Sequence, residues 1–124
     1  MSWIGVDLDG TLAFYDGWNG ENSIGDPIPR MVDRVKKWIS EGKEVRIFTA
    51  RVSMKGGYSL ESHRFADKEF IENQTKIIQD WCELHIGKRL DVTCEKDFSM
   101  IELWDDRAVQ VVVNSGERYK GDLS

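Results

Sequence analysis

The chain contains little proline and little cysteine, and it has no long hydrophobic run. Its 124 residues include two prolines and two cysteines. No stretch approaches the roughly 18 consecutive apolar residues of a transmembrane helix, and the first residues lack the basic and then apolar pattern of a signal peptide. Cys82 and Cys94 are too few for a disulfide framework and lack metal-site spacing. We therefore expect a cytoplasmic protein with reduced thiols that does not bind membranes.

The chain has fewer positive than negative side chains. It contains 17 Lys and Arg residues and 22 Asp and Glu residues, which gives a net charge of −5. This balance argues against broad, sequence-independent nucleic-acid binding, which depends on cationic side chains. With 40% hydrophobic and 31% charged residues, the composition is that of a globular domain and excludes disordered, collagen-like and coiled-coil classes. Five tryptophans fit either a core or a subunit interface, so an oligomer is compatible with the sequence.

Hydrophobic patterning predicts strands that alternate with helices. Amphipathic helices are expected at about 30–39 and 70–84, each followed by a glycine. Short apolar runs predict five strands, at 3–6, 45–48, 90–94, 100–104 and 109–113. This order implies a mainly parallel sheet covered on both faces, in a single domain over residues 1–113 with a polar tail over 114–124.

Polar side chains stand just beyond four of the predicted strands. In chain order they are Asp7 with Asp9, Thr49, Lys96, and Asp105 with Asp106. Ligands of open parallel sheets bind outside the carboxyl ends of the strands. Carboxylates gathered there would repel one another without a cation, and oxygen ligands suit Mg²⁺, which also binds phosphate oxygens. The pattern predicts a magnesium site that takes a phosphorylated substrate.

These residue types suffice for phosphoryl transfer. Asp7 can attack phosphorus and form an aspartyl-phosphate. Asp9 can protonate the leaving oxygen and then activate water. Thr49 and Lys96 can bind the phosphate oxygens and offset their charge.

The loops that follow the first two predicted strands contain further candidate residues for substrate binding. Arg51 is favoured as a ligand for a second phosphate or carboxylate on the substrate, whereas Lys55 and Arg64 are interpreted as solvated loop charges. The loop at 10–26 contains aromatic residues that fit either a small hydrophobic cover or a wall against which substrate stacks. These aromatic residues are Phe14, Tyr15 and Trp18.

The segment Asp7-Leu8-Asp9-Gly10-Thr11 resembles the first signature of the haloacid dehalogenase (HAD) superfamily, whose usual member is a Mg²⁺-dependent phosphatase. Phe48-Thr49-Ala50-Arg51 resembles the second motif, Lys96 stands where the third motif's lysine falls in short members, and Asp105-Asp106 resembles the acidic fourth motif. The resemblance covers residues 3 to about 113. It implies a metal ion held by the Asp7 carboxylate, the Asp9 backbone carbonyl and Asp105, with Asp106 as a ligand or a partner of one.

The fold expected from this resemblance is a HAD-like Rossmannoid α/β fold, a three-layer sandwich around a five-stranded sheet of order 3-2-1-4-5. The segments after Gly10 and Thr49 are too short for a large cap. The expected function is Mg²⁺-dependent hydrolysis of a phosphomonoester through an aspartyl-phosphate on Asp7. A phosphotransferase with the same intermediate and a non-catalytic phosphate- or partner-binding module are left open as alternatives.

Overall fold

The computed structural model describes residues 2–20, 22–53, 58–59, 64–65 and 67–121. Both predicted helices and four of the five predicted strands are present in it, together with two strands of two residues each. In chain order the elements are β1 (Trp3–Asp7), α1 (Pro29–Ser40), β2 (Glu44–Phe48), a short 3-10 helix (Ala50–Val52), β3 (Tyr58–Ser59), β4 (Arg64–Phe65), α2 (Lys68–His85), β5 (Asp91–Thr93) and β6 (Met100–Trp104).

Four strands form a parallel sheet in the order β5-β2-β1-β6. Numbered as predicted, this is 3-2-1-4, so the predicted α/β class and the order of the first four strands are confirmed. The short strands β3 and β4 pair with each other in a separate antiparallel ladder. In this order β2, β1 and β6 are neighbours, so their carboxyl ends lie side by side at one edge of the sheet.

The predicted fifth strand at 109–113 is wrong. This segment joins no named strand of the described chain and instead folds back on the residues that follow, with the Val112 amide donating to the Glu117 carbonyl and the Tyr119 amide donating to the Gln110 carbonyl. Val113 is 82% exposed. Because β-branched residues favour a strand only where neighbouring strands and a core cover them, their presence alone overpredicts the sheet. The predicted boundary between positions 113 and 114 falls within this turn.

The predicted third layer is also wrong for the described residues, because both helices cover the same face of the sheet. Ile4 and Val6 of β1 pair with Val45 and Ile47 of β2, so these side chains share a face. They form one core cluster with the buried residues of both helices, which are Met31, Val32 and Val35 of α1 and Ile78, Trp81 and Cys82 of α2.

The direction of the crossovers explains the two-layer arrangement. The connections from β1 to β2 and from β2 to β5 step the same way across the sheet, and right-handed crossovers place both helices on one face. A helix on the opposite face would have to lie between β5 and β6, where residues 94–99 form no helix.

Side chains cover the opposite face of the sheet instead. Trp3 is 1% exposed, and the Arg46 guanidinium lies over the Trp3 ring at 4.5 Å from the ring centre. The Trp3 indole donates a hydrogen bond of 2.8 Å to Asp97, and this bond holds the pKa of the Asp97 carboxyl below its usual range. A Cβ atom on Gly5 would lie 2.6 Å from the Met100 side chain, so the backbone of β1 is tightly covered without a helix.

Both helices begin and end with local signals in the sequence. Pro29 occupies the first turn of α1, where a missing amide costs nothing, and Gly42 follows the helix with φ +80°. The Asp67 carboxylate caps α2 by accepting from the Phe70 amide at 2.8 Å. Within the described ranges, neither helix has the combination of length and apolar character that crossing a membrane requires.

Candidate active site

Three carboxylates meet at the carboxyl ends of two neighbouring strands. Asp7 is the last residue of β1, and Asp105 and Asp106 directly follow β6. Each side chain offers one oxygen, and these three oxygens lie within 4.8 Å of one another. The structure therefore brings together three of the four predicted acidic site residues.

The crowding of negative charge changes the protonation of this group. Burial, a hydrogen bond with Asp106 and the charges of Asp105 and Asp106 together raise the pKa of Asp7 to about 7, against a smaller opposing effect of Thr11. Desolvation acts to raise the pKa of Asp106, but hydrogen bonds from Asp7, from its own backbone and from Thr11 outweigh it and leave the value below the usual range. A proton on Asp7 thus relieves the repulsion when no cation is bound.

The turn after β1 packs directly against the loop after β6. The Thr11 hydroxyl lies 3.3 Å from Asp7 Oδ2 and 3.3 Å from Asp106 Oδ1. Gly10 has φ +92°, a conformation that favours glycine. Gly10 and Thr11, which are not among the predicted site residues, belong to the same Asp-x-Asp-Gly-Thr segment as Asp7 and Asp9.

Asp9 pairs with Arg51 and does not belong to the group formed by Asp7, Asp105 and Asp106. Its two carboxylate oxygens accept hydrogen bonds from Arg51, at 2.7 Å from Nε and 2.8 Å from Nη2. The Arg51 side chain is 6% exposed, donates a further 2.8 Å bond to the Ser23 carbonyl and lies over the Trp18 ring. The expectation that Arg51 binds a substrate anion stays a prediction, and so does the predicted contact of Asp9 with a metal ion.

Thr49 follows β2 and is 3% exposed. Its amide donates to the Thr93 carbonyl at 2.9 Å, and its Oγ1 accepts from the Arg51 amide at 3.2 Å, which caps the short 3-10 helix. Since Oγ1 is the acceptor in this contact, the hydroxyl hydrogen can be donated to a phosphate oxygen.

Lys96 makes no hydrogen bond or ion pair with the acidic group in the described part of the chain. It is exposed in the connection between β5 and β6. Its role in phosphate binding stays a prediction. Lys55 and the side chain of Arg64 lie outside the described part of the chain.

A cavity of about 180 Å³ lies beside Asp9 and Arg51. Residues of the loop over 14–26 line it. The Phe14 amide donates to the Asp26 carbonyl at 2.8 Å across the base of the loop, and the Trp81 indole and the Arg51 guanidinium donate to the Gly25 and Ser23 carbonyls at 3.1 and 2.8 Å. The aromatic side chains of the loop are 41–59% exposed. A small hydrophobic cover and a wall against which substrate stacks both stay predictions for this loop.

Comparisons with known proteins extend the description of the fold only. No family model and no curated protein matches the chain. A solved structure of a conserved protein coded by a locus from Bacteroides thetaiotaomicron is similar, with a TM-score of 0.51 and 18% sequence identity over 86% of this chain and 76% of that one. At this identity the similarity concerns the α/β arrangement and does not transfer an activity.

Proposed function

We propose that the protein is a Mg²⁺-dependent phosphomonoesterase that acts through an aspartyl-phosphate on Asp7. The observation that supports this proposal most strongly is the convergence of oxygens from Asp7, Asp105 and Asp106 within 4.8 Å at the carboxyl edge of the sheet. The buried Thr49 hydroxyl follows the neighbouring strand at the same edge. Carboxylates beside a hydroxyl donor are the groups that phosphoryl transfer needs.

The donor set fits a magnesium ion. All three side chains offer carboxylate oxygens, which Mg²⁺ prefers. Burial first, and then the hydrogen bond with Asp106 and the neighbouring charges, raise the pKa of Asp7 to about 7. Asp7, Asp105 and Asp106 would hold the ion. When bound, Mg²⁺ neutralises charge on the carboxylates and on the substrate's phosphate oxygens.

In the first half-reaction an Asp7 oxygen attacks phosphorus, and the bond between phosphorus and the ester oxygen breaks. The leaving oxygen keeps the electron pair and takes a proton from the Asp9 carboxyl, while the Thr49 hydroxyl donates to a phosphate oxygen. In the second half-reaction Asp9 accepts a proton from water as the water oxygen attacks phosphorus, which releases inorganic phosphate and restores Asp7.

The pairing of Asp9 with Arg51 gives this sequence of steps a structural requirement. Both Asp9 oxygens accept from Arg51 in the substrate-free protein. To act as the acid, Asp9 has to take up a proton from solvent on one oxygen, which gives up its hydrogen bond to Arg51, while the other oxygen keeps the side chain in position.

The experiment is phosphate release from a panel of phosphomonoesters, with Mg²⁺ and with a chelator. We expect activity that needs the metal and that falls by at least about a thousandfold in Asp7→Asn. The matched control is Asp91→Asn, because Asp91 is exposed at the first residue of β5, away from the carboxyl edge. Activity that survives in Asp7→Asn or in chelator contradicts the proposal.

A further inference from the structure

We propose that the cavity beside Asp9 receives the organic part of the substrate and selects small phosphomonoesters whose organic part carries no second negative charge. This inference rests on the proposed function, since it takes Asp7 as the nucleophile and Asp9 as the acid. It assigns a substrate class to a cavity that the chemistry described above does not use.

The position of the cavity follows from the role of Asp9. An acid that protonates the leaving oxygen must contact that oxygen, and the same oxygen joins the phosphate to the organic part of the substrate. The organic part must therefore extend past Asp9 when the phosphate lies at Asp7. Asp9 lines the cavity, so the cavity lies where this part of the substrate has to go.

The charges around the cavity disfavour an anion there. Its acidic lining residues are Asp9, Asp16 and Asp26, and Arg51 is the cation among the described residues that line it. Arg51 already makes two charge-assisted hydrogen bonds to Asp9 at 2.7 and 2.8 Å, so the proposal departs from the expectation that Arg51 binds a second phosphate or carboxylate of the substrate. Among the described lining residues, a second phosphate or carboxylate on the substrate would meet the carboxylates of Asp16 and Asp26, with Arg51 as the one cation. Like charges brought together are unfavourable.

The other lining groups suit a small hydrogen-bond donor. The Asp16 and Asp26 carboxylates can accept from hydroxyl or amino groups, and Tyr15 offers an exposed aromatic face. The volume of about 180 Å³ is small beside the roughly 300–1,000 Å³ of typical ligand pockets. Short polyol and amino-alcohol phosphates match both the polarity and the size of the cavity.

A pair of esters that differ in a single group tests the inference. Glycerol 3-phosphate and 3-phosphoglycerate differ by a hydroxymethyl group in place of a carboxylate. We expect kcat/KM for glycerol 3-phosphate to exceed that for 3-phosphoglycerate by about tenfold or more. The ratio should fall as salt is added, because salt screens the exposed charges of Asp16 and Asp26.

Variants locate the discrimination at the cavity. The double variant Asp16→Asn with Asp26→Asn removes two exposed charges and should reduce the ratio by at least about threefold, whereas Asp91→Asn makes the same kind of change elsewhere and should leave the ratio as it is. An equal rate with both esters, a preference for 3-phosphoglycerate, or an unchanged ratio in the double variant overturns the inference.

Failure of the proposed function is distinguishable from failure of this inference. If the wild type hydrolyses neither ester, calorimetry with the wild type and Mg²⁺ measures the binding of both esters without turnover. Tighter binding of glycerol 3-phosphate that is weakened selectively in the double variant supports the cavity assignment while the hydrolase proposal fails. Equal binding, or no binding of either ester, overturns the assignment as well.

Discussion

A Cβ atom added to Gly10 would lie 2.7 Å from Oδ2 of Asp106. The backbone of the turn after β1 thus lies against the carboxylate that follows β6, with no room for a side chain between them. This close approach places the Thr11 hydroxyl within 3.3 Å of both Asp7 and Asp106. The geometry of the acidic group therefore depends on a residue that carries no functional group.

Gly10→Ala should reduce Mg²⁺ affinity as well as stability. An alanine at φ +92° is strained by roughly 1–3 kcal/mol, and its Cβ would also push Asp106 away from Asp7 and Asp105. We expect Mg²⁺ binding to weaken by about tenfold or more, as for a displaced metal ligand or its partner. Calorimetry measures the affinity, and thermal unfolding measures the stability.

Gly42→Ala is the matched control for this substitution. Gly42 also has a positive φ, +80°, but a Cβ atom there meets no other atom within 4 Å. It should lower the free energy of unfolding by a similar amount and leave Mg²⁺ affinity unchanged. An equal effect of the two substitutions on Mg²⁺ affinity would refute the steric explanation.

Stabilisation by Mg²⁺ should grow as the pH rises through about 7. The Asp7 carboxyl titrates near 3.8 when unfolded and near 7 in the metal-free fold. Its contribution to metal-free stability is therefore fully present below about pH 4 and is lost as the pH rises through about 7. Because Mg²⁺ binds the ionised carboxylate, the stabilisation by Mg²⁺ should increase as Asp7 loses its proton.

The measurement is the difference in Tm with and without Mg²⁺ across this pH range. The substitution Asp106→Asn removes a carboxylate that raises the pKa of Asp7 through a hydrogen bond and a negative charge. The pH at which the Tm difference changes should therefore be lower in this variant than in the wild type. A Tm difference that does not vary with pH would contradict the account of Asp7.

Lys96→Ala tests a predicted phosphate ligand that has no described contact with the acidic group. If the resemblance assigns it correctly, the variant should bind a phosphate analogue such as vanadate at least about tenfold more weakly than the wild type. Lys88→Ala is the control, because Lys88 is another exposed lysine of the same part of the chain. Weakening in Lys88→Ala instead would move the third motif to that residue.

How much of the site could be predicted depended on distance along the chain. Asp7, Thr49 and Asp105 follow apolar runs that end abruptly, and parallel strands place such ends at one edge, so their common location follows from local patterns. The pairing of Arg51 with Asp9 joins positions 42 residues apart and leaves no signal in either segment. The sequence therefore located both side chains near the site without indicating that they pair, and the binding of a substrate anion by Arg51 stays a prediction.

The two wrong predictions about the fold also arise because local sequence patterns do not determine contacts between distant segments. Residues 109–113 have the local composition of a strand, but strand formation there depends on a neighbouring strand that the described residues do not supply. The third layer was inferred from the alternation of strands and helices, whereas its presence depends on a helix between β5 and β6. The connection over residues 94–99 is too short for a full helix, as the spacing of nine residues between Lys96 and Asp105 also indicates.

Two substitutions compare the core with the segment that was wrongly assigned to the sheet. Ile47 is 0% exposed and Val113 is 82% exposed. Ile47→Ala should lower the free energy of unfolding by roughly 2–5 kcal/mol, whereas Val113→Ala should change it by less than about 0.5 kcal/mol. Denaturant unfolding measures both, and a large loss in Val113→Ala would show that this segment is covered in solution.

Detection of the covalent intermediate tests the central claim most directly. Wild-type protein with Mg²⁺ and a hydrolysed monoester is quenched in acid within the first turnover, digested and analysed by mass spectrometry. We predict a phosphoryl group on Asp7 that appears before phosphate is released and is absent from the Asp7→Asn variant. Release of phosphate without any phosphorylated protein, or a phosphoryl group on a different residue, would contradict the assignment of Asp7 as the nucleophile.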